Sequence, residues 1–459
     1  MTHYDHIIIG SGQATGTLLG KLTQEDVKIA VIEGAKVGGS CVNYGCTPTK
    51  ALVASARAIH MAKRGNEFGF DSGDVKVDFK KVRERMNEIR NASNEGLTDW
   101  LEESDKITLY RGWGSFVDEN TVEVNGEKIT GDKIYINTGT RSVAPDIDGL
   151  EEVPWLDNQR LLNLEQLPEH LLIIGGGYIG IEFAQIYRRF GAQVTVIQHG
   201  PQIMSQEDED FSDAIKEFLE DEGIEILCDT SATAVSKANG KVQLTVENNG
   251  KEKVISGSHL LIAAGRKPNT EKLNLAAAGI ELTDKGYIKA DDFCRTNVAH
   301  IYAVGDVNGK GAFTHTSVND AEVVLDHLSG GDRKVSDRIK IYSLFTDPPL
   351  GRVGMSEKEA LKKGKRVLRA TKPMSEISRA KEMSETTGFA KLLVDAETDM
   401  ILGASILGPG GDEIINMFAA IMHSKIPCRT YREVVLVHPT VSELMPFMLD
   451  GLEEVEAED

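Results

Sequence analysis

The sequence predicts an α/β protein of several domains, with parallel sheets first and a separate α+β unit towards the C-terminal end. Two observations carry this prediction. One strand–glycine turn–helix–strand unit occurs twice, and at 459 residues the chain is too long for a single hydrophobic core.

The first copy runs from Tyr4 to Glu33. The apolar strand Ile7-Ile8-Ile9 meets Gly10-Ser11-Gly12-Gln13-Ala14-Thr15-Gly16, a helix follows, and the strand Lys28-Ile29-Ala30-Val31-Ile32 ends at Glu33. The second runs from Leu171 to Gln198. Its strand, Leu171-Leu172-Ile173-Ile174, meets Gly175-Gly176-Gly177-Tyr178-Ile179-Gly180, a helix reaches about Phe190, and Gln193-Val194-Thr195-Val196-Ile197 is the next strand. Both are Rossmann-like dinucleotide-binding units. Glycine lets the backbone approach a pyrophosphate, and the helix N-terminus receives its charge. The candidate contacts are Gly10 and Gly12 in the first copy, and Gly175, Gly177 and Gly180 in the second. Glu33 stands where an acid bonds a ribose hydroxyl. The first copy departs from the pattern at the third glycine position, which is Thr15. Its bulk predicts a slightly displaced helix with binding retained.

Between the copies lies Gly38-Gly39-Ser40-Cys41-Val42-Asn43-Tyr44-Gly45-Cys46-Thr47-Pro48-Thr49-Lys50. Five residues of straight helix rise about 7.5 Å, whereas a disulfide needs Cα atoms closer than about 7 Å. The chain must therefore bend between Cys41 and Cys46, and Gly45 allows it. Pro48 is tolerated in a first helical turn but not deeper. Cys46 then lies near a helix N-terminus, where the dipole favours thiolate. A redox-active pair fits this better than two unpaired core cysteines, the alternative for any free thiol.

Composition narrows the partners. The apolar fraction is 41%, and 51 basic against 71 acidic side chains give a net charge of −20. The surface is acidic, and the tail Glu453-Glu454-Val455-Glu456-Ala457-Glu458-Asp459 adds to it. That argues against nucleic acid and anionic membranes. Met1-Thr2-His3-Tyr4-Asp5 enters a strand without a basic leader or cleavage site, and no apolar run is long enough to span a bilayer. A cytoplasmic location is expected. Five cysteines fit a reducing compartment, where pairs are more often catalytic than structural. Cys228, Cys294 and Cys428 are scattered and expected to be inert, and no residue set is assigned to a resident metal.

The cysteine segment resembles the redox loop of the flavoprotein disulfide reductases, the pyridine nucleotide-disulfide oxidoreductases that include glutathione reductase, lipoamide dehydrogenase and mercuric reductase. The likeness covers nearly the whole chain. Tyr135-Ile136-Asn137-Thr138-Gly139-Thr140 and Leu261-Ile262-Ala263-Ala264-Gly265-Arg266-Lys267-Pro268-Asn269 resemble the turns that return such chains between domains. Thr296 to Asp306 resembles the T-x-x-x-x-I-Y-A-x-G-D element. The resemblance implies an FAD domain of residues 1–149 and 266–335 and an NAD(P) domain of 150–265. It also implies a dimerisation domain of 336–459, with a strand at Ile401–Gly408 and an apolar helix at Glu413–His423.

The site residues follow from the same resemblance. FAD is implied on Gly10, Gly12, Glu33, Gly39, Ser40, Lys50, Thr138, Gly139 and Asp306, with Asp306 on the ribityl chain. NAD(P)H is implied on Gly175, Gly177, Tyr178, Gly180, Gln198, His199, Gly265 and Arg266. In relatives the tyrosine, here Tyr178, covers the empty nicotinamide pocket, and the glutamate, here Glu182, pairs with the redox-loop lysine, here Lys50. The apolar flanks Ile181 and Phe183-Ala184 favour a buried, partnered Glu182 over a solvated one. An acid at the end of the second strand favours NADH. Gln198-His199 lacks that charge, and His199 can meet a phosphate, so NADPH is preferred with some use of NADH.

Val437-His438-Pro439-Thr440-Val441-Ser442-Glu443 resembles the family's H-P-T-x-x-E element. It implies that His438, oriented by Glu443, is an acid–base catalyst reaching the cysteines of the other subunit of a homodimer. Electrons then pass from NAD(P)H through FAD to the Cys41–Cys46 disulfide and on to an oxidised substrate. Cys46 lies next to the flavin, and Cys41 attacks the substrate. The loop wording, with Ala312 to Ser317 and Asp347 to Gly354, is similar to a mercuric-reductase-like branch that includes flavoproteins of reactive-chlorine and metal stress. True mercuric reductases add a C-terminal cysteine pair, commonly carry an N-terminal metal-binding domain, and lack the histidine kept here as His438. Three substrate readings stand: a disulfide or oxidised thiol, a soft metal ion such as Hg(II) or Cu(II), or a lipoamide-dehydrogenase-like role within a multienzyme complex.

Overall fold

The computed structural model describes residues 1–455. The first copy forms β1 (Thr2–Ile9), α1 (Gln13–Leu22) and β2 (Ile29–Glu33). The redox segment supplies two helices, α2 (Gly39–Tyr44) and α3 (Cys46–Lys63), followed by the long α4 (Phe79–Glu103). β3 (Ile107–Arg111), β4 (Ser115–Phe116), β5 (Thr121–Val124) and β6 (Glu127–Ile136) complete a sheet in the order β3-β2-β1-β6-β5-β4. The strands β1, β2, β3 and β6 run parallel. Ile7, Ile8, Val31 and Tyr135 are fully buried at its centre, as continuous apolar runs in a parallel sheet require.

β7 (Thr140–Ser142) leads out of this domain, and the short α5 (Asn158–Leu162) leads into the next. There β8 (His170–Ile174), α6 (Tyr178–Phe190), β9 (Gln193–Ile197), α7 (Glu209–Asp221) and β10 (Glu225–Leu227) repeat the motif. An antiparallel layer of β11 (Ser231–Ala238), β12 (Lys241–Asn248) and β13 (Lys251–Gly257) precedes β14 (His259–Ile262), which closes a parallel sheet β10-β9-β8-β14. The chain returns through β15 (Arg266–Pro268), which pairs antiparallel with β7. The two predicted crossing turns thus form one two-stranded link between the nucleotide domains. β16 (Ile301–Ala303) then joins the first sheet beside β6, and α8 (Thr314–Leu328) packs against α1.

The C-terminal unit contains β17 (Ile341–Leu344), β18 (Leu350–Gly354), α9 (Glu357–Lys362), β19 (Val367–Pro373), α10 (Ser378–Glu382), β20 (Phe389–Asp395), β21 (Met400–Leu407), α11 (Gly411–His423), α12 (Cys428–Arg432) and β22 (Glu453–Glu454). Its six-stranded sheet has the order β17-β18-β21-β20-β19-β22 and is antiparallel throughout. Gly351 and Gly411 let α11 lie against β18, since a Cβ at Gly351 would come 2.1 Å from the Gly411 carbonyl oxygen. Glu453 and Glu454 add an edge strand to β19, where Glu454 pairs with Arg366 at 2.9 Å. The rest of the tail, residues 456–459, lies outside the described residues. Among the described residues, no helix is long and apolar enough to cross a membrane.

Candidate active site

Cys46 is the first residue of α3, with Gly45 as its N-cap, as the placement of Pro48 requires. Gly45 makes the bend: its φ of −133° and ψ of −117° lie outside the helical region, and a Cβ there would come 3.0 Å from the Ser40 carbonyl oxygen. Cys41 and Cys46 are free thiols joined by a hydrogen bond. The Cys41 thiol stabilises the Cys46 thiolate, so the Cys46 pKa falls to about 6, while Cys41 is pushed well above the ordinary thiol range by the same bond and by burial. Thr314 at the start of α8 lies 3.5 Å from the Cys46 sulfur, and this contact and the Lys50 ammonium favour the thiolate further. The pair therefore shares one proton, held on Cys41.

Lys50 stands one helical turn beyond Cys46. Its ammonium meets Glu182 at 2.7 Å and lies 4.4 Å from the centre of the Phe345 ring. Glu182 is buried, as its apolar flanks predict, and also accepts the Phe345 N–H at 3.0 Å. Tyr178 begins α6, one turn before Glu182 on the same face, and its hydroxyl donates to Glu207.

The first cradle fits FAD. Gly10 has φ +100°, and a Cβ there would strike the Asn137 carbonyl oxygen at 2.3 Å. Gly39, at φ +62°, presses on Gly12, so that a Cβ would come 2.9 Å from the Gly12 Cα. These contacts keep a bare backbone trough at the N-terminus of α1, next to Ser40. The Glu33 carboxylate at the end of β2 accepts the Ser11 N–H and hydroxyl and the Ala35 N–H. Asp306 lies in the turn after β16, where burial raises its carboxyl pKa and the Thr140 hydroxyl donates to it at 2.8 Å. Arg266 holds Thr140 through both its hydroxyl and its carbonyl. Thr138 donates to the Asn269 carbonyl, and Gly139 turns at φ +65°.

Thr15 answers the sequence departure. Its hydroxyl donates to the Gly10 carbonyl at 2.8 Å and accepts from Asn137 at 2.9 Å. In the second cradle the matching residue is Gly180, where a Cβ would come 2.0 Å from the Gly175 carbonyl oxygen. A threonine is excluded at that spacing, so α1 stands farther from its turn than α6 does.

Residues 4–321 match the pyridine nucleotide-disulphide oxidoreductase family, and residues 342–448 match its dimerisation domain. The chain belongs to the pyridine nucleotide-disulphide oxidoreductases. The probable pyridine nucleotide-disulfide oxidoreductase RclA of Escherichia coli is 35% identical over 452 residues, which span 96% of this chain and 98% of that protein. A mercuric reductase of Bacillus cereus is also 35% identical, over 96% of this chain and 70% of its own length. A dihydrolipoyl dehydrogenase of Geobacillus stearothermophilus is 32% identical over 95% of this chain and 94% of its own. Among solved structures, the Cu(II) complex of the HOCl-induced flavoprotein disulfide reductase RclA of Escherichia coli superposes with a TM-score of 0.89. It is 34% identical and covers 98% of this chain and 99% of that one. The chain is thus an FAD- and NAD(P)H-using oxidoreductase with two nucleotide-binding domains and a dimerisation domain.

In the dimerisation domain of this oxidoreductase, His438 is exposed and its Nδ1 lies 2.9 Å from Glu443, whose side chain is largely buried. The carboxylate fixes the ring and leaves Nε2 facing outward. At the second cradle, Gln198 is the counterpart of Glu33. Each sits at the end of the second strand and accepts the N–H of the middle residue of the glycine turn, Ser11 for Glu33 and Gly176 for Gln198. With its oxygen committed, Gln198 presents an N–H₂ donor. His199 is exposed and bonds Ser231 at 2.7 Å, and Gly265 follows β14. Burial pushes the Cys228, Cys294 and Cys428 thiols up, which fits inert cysteines. Among the described residues, no group of three His, Cys, Asp or Glu side chains is placed to hold a metal ion.

The sequence reading missed Thr314, although it lies inside a quoted segment. It also missed Asp320, which is buried behind Asp306 and accepts the Gly305 N–H and the Asn308 amide while pairing with Arg338. A buried acid amid Val323 and Val324 in α8 was the available signal.

Proposed function

We propose that this chain is a homodimeric NAD(P)H-dependent reductase of disulfides or oxidised thiols. The observation that carries it is the placement of the free thiols Cys41 and Cys46 at the N-terminus of α3, beside the Lys50–Glu182 pair, together with the His438–Glu443 dyad on the dimerisation domain. The division into 1–149 with 266–335, 150–265 and 336–459 is supported by sheet membership. When bound, FAD takes a hydride from NAD(P)H and delivers two electrons to the cysteine pair.

The protein's own residues do the rest. Gly10, Gly12, Gly39, Ser40, Glu33, Thr138, Gly139 and Asp306 hold FAD. Gly175, Gly177, Gly180, Gly265 and Arg266 frame the coenzyme, and Tyr178 covers the nicotinamide pocket. Lys50, fixed by Glu182, keeps positive charge beside Cys46. His438 of one protomer removes the Cys41 proton in its partner. Cys41 attacks the substrate disulfide, a mixed disulfide forms, and the first thiol leaves with the proton from His438. Cys46 then attacks the Cys41 sulfur as a thiolate, the second substrate sulfur leaves as a thiolate that takes its proton from solvent, and the Cys41–Cys46 disulfide is restored. Gln198 as a donor, with His199 beside it, supports NADPH over NADH. The acidic charge fits a cytoplasmic enzyme.

A second reading, reduction of Cu(II) or Hg(II), is favoured by the likeness to RclA, solved as a Cu(II) complex, and to mercuric reductases. Soft metal ions suit a dithiol. Anaerobic NADPH oxidation with a disulfide panel, and with Cu(II) or Hg(II) under excess thiol, separates the two. Disulfide turnover that collapses in His438→Ala supports the first reading. Metal turnover indifferent to that substitution, without disulfide turnover, replaces it with the second.

A further inference from the structure

Glu207 lies between β9 and α7, and its side chain is fully buried. Its carboxylate accepts the Tyr178 hydroxyl at 2.9 Å, the Tyr342 hydroxyl at 2.8 Å and Arg352 Nη1 at 2.7 Å. Tyr342 and Arg352 face each other as cross-strand partners on β17 and β18. Tyr178 follows Gly177 of the second glycine turn. One carboxylate therefore ties the mouth of the coenzyme cradle to the dimerisation sheet.

The Tyr178 ring stands edge-on to Tyr342 at 5.5 Å and to Phe313 at 6.2 Å. Phe313 precedes Thr314, which touches Cys46. The ring thus follows directly on the second glycine turn and packs against the segment that sets Thr314 beside Cys46. The bonding at Glu207 suits a ring that moves. Arg352 takes one carboxylate oxygen, and the two hydroxyls share the other. When Tyr178 leaves, Glu207 keeps both its counter-charge and a hydroxyl donor, so no buried charge is orphaned.

We propose that Glu207, held by Tyr342 and Arg352, is the latch of Tyr178: a positioning residue that keeps the ring across the nicotinamide path and sets how readily NAD(P)H enters. This rests on the reading of Tyr178 as the pocket cover. The test is anaerobic flavin reduction in the FAD-loaded enzyme, followed against NADPH concentration in Tyr178→Phe, Tyr342→Phe and Tyr178→Ala. Tyr178→Phe removes only the latch bond and leaves the Glu207–Arg352 pair. Loss of one such bond corresponds to a fall of about 3- to 10-fold in the half-saturating NADPH concentration. Tyr342→Phe, which removes the other hydroxyl from the same oxygen, does not lower it. If Tyr178→Ala lowers the half-saturating concentration and Tyr178→Phe does not, Tyr178 remains the cover and the latch is overturned. Equal falls in both phenylalanine variants mark a packing effect and also overturn it. No change in any variant overturns the cover and the latch together.

Discussion

The Lys50 ammonium and the Glu182 carboxylate meet at 2.7 Å, joining the second turn of α3 to the second turn of α6. Cys46 and Tyr178 each lie four residues before one partner, so this single ion pair fixes the redox helix against the coenzyme helix. It also sets the field at Cys46, since Lys50 lowers that thiol's pKa and Glu182 raises it.

The two substitutions should therefore move Cys46 in opposite directions. Lys50→Met raises its pKa above about 6, and Glu182→Gln lowers it. Thr314→Val, which deletes the hydroxyl at 3.5 Å, raises it as well. The pH dependence of iodoacetamide alkylation of the reduced enzyme reads all three. A Glu182→Gln profile shifted to higher pH would contradict this electrostatic account.

The same shift fixes a stability window. The Cys46 pKa is depressed from 9.0 to about 6, so its stabilising contribution is complete above the ordinary thiol value and is lost as pH falls through about 6. The reduced enzyme should lose melting temperature relative to Cys46→Ser between these limits. A constant difference between the two proteins across that range would refute it.

In the proposed mechanism His438 acts on the substrate side only, so its loss should split the two half-reactions. General acid–base catalysis contributes typically about 10²–10⁴-fold. His438→Gln should lower disulfide turnover within that range while NADPH still reduces the flavin at an unchanged rate. Glu443→Gln keeps the ring and weakens its orientation, so it should cost less than His438→Gln. Single-turnover and steady-state rates on the same preparations distinguish the halves.

Much of this site was legible because its chemistry is local in sequence. The Gly-Ser-Gly and Gly-Gly-Gly turns, the five-residue cysteine spacing with Gly45 and Pro48, and the His438 to Glu443 interval each place their atoms within one turn or loop. Lys50–Glu182 was legible only through family likeness, because 132 positions separate the partners. Thr314 beside Cys46, Glu207 between two tyrosines and an arginine, and Asp320 under Asp306 were not legible. Each acquires its role from elements brought together by the sheet order, and no periodicity encodes that. The edge strand of Glu453 and Glu454 was not legible either, because two residues leave no alternating pattern.

The two glycine turns offer a packing test within one molecule. Gly180→Ala places a methyl 2.0 Å from the Gly175 carbonyl, which forces α6 from its turn. Overpacking of this kind costs about 1–3 kcal/mol, and NADPH affinity should fall with it. Thr15→Gly relieves no clash and removes two hydrogen bonds, so it should destabilise by about 1–3 kcal/mol through the buried Asn137 amide while FAD still binds. Thermal unfolding and flavin content separate the two outcomes.

On the proposed preference for NADPH, coenzyme choice turns on which atom Gln198 presents. Its oxygen is committed to the Gly176 N–H at 2.9 Å, as a Glu33 oxygen is to Ser11, so a carboxylate at 198 would preserve the turn. Gln198→Glu should therefore fold normally and replace an outward donor by an acceptor with charge. A 2′-phosphate is then repelled and a 2′-hydroxyl gains a partner. A swing of about 1.4 kcal/mol is tenfold in relative affinity, so the NADPH-to-NADH ratio of kcat/KM should fall by at least about tenfold. His199→Ala, which removes the exposed ring bonded to Ser231, should lower that ratio less, because it deletes a phosphate donor without adding a charge. If Gln198→Glu leaves the ratio unchanged, the 2′ group is read elsewhere, and Gln198 serves only to brace the glycine turn.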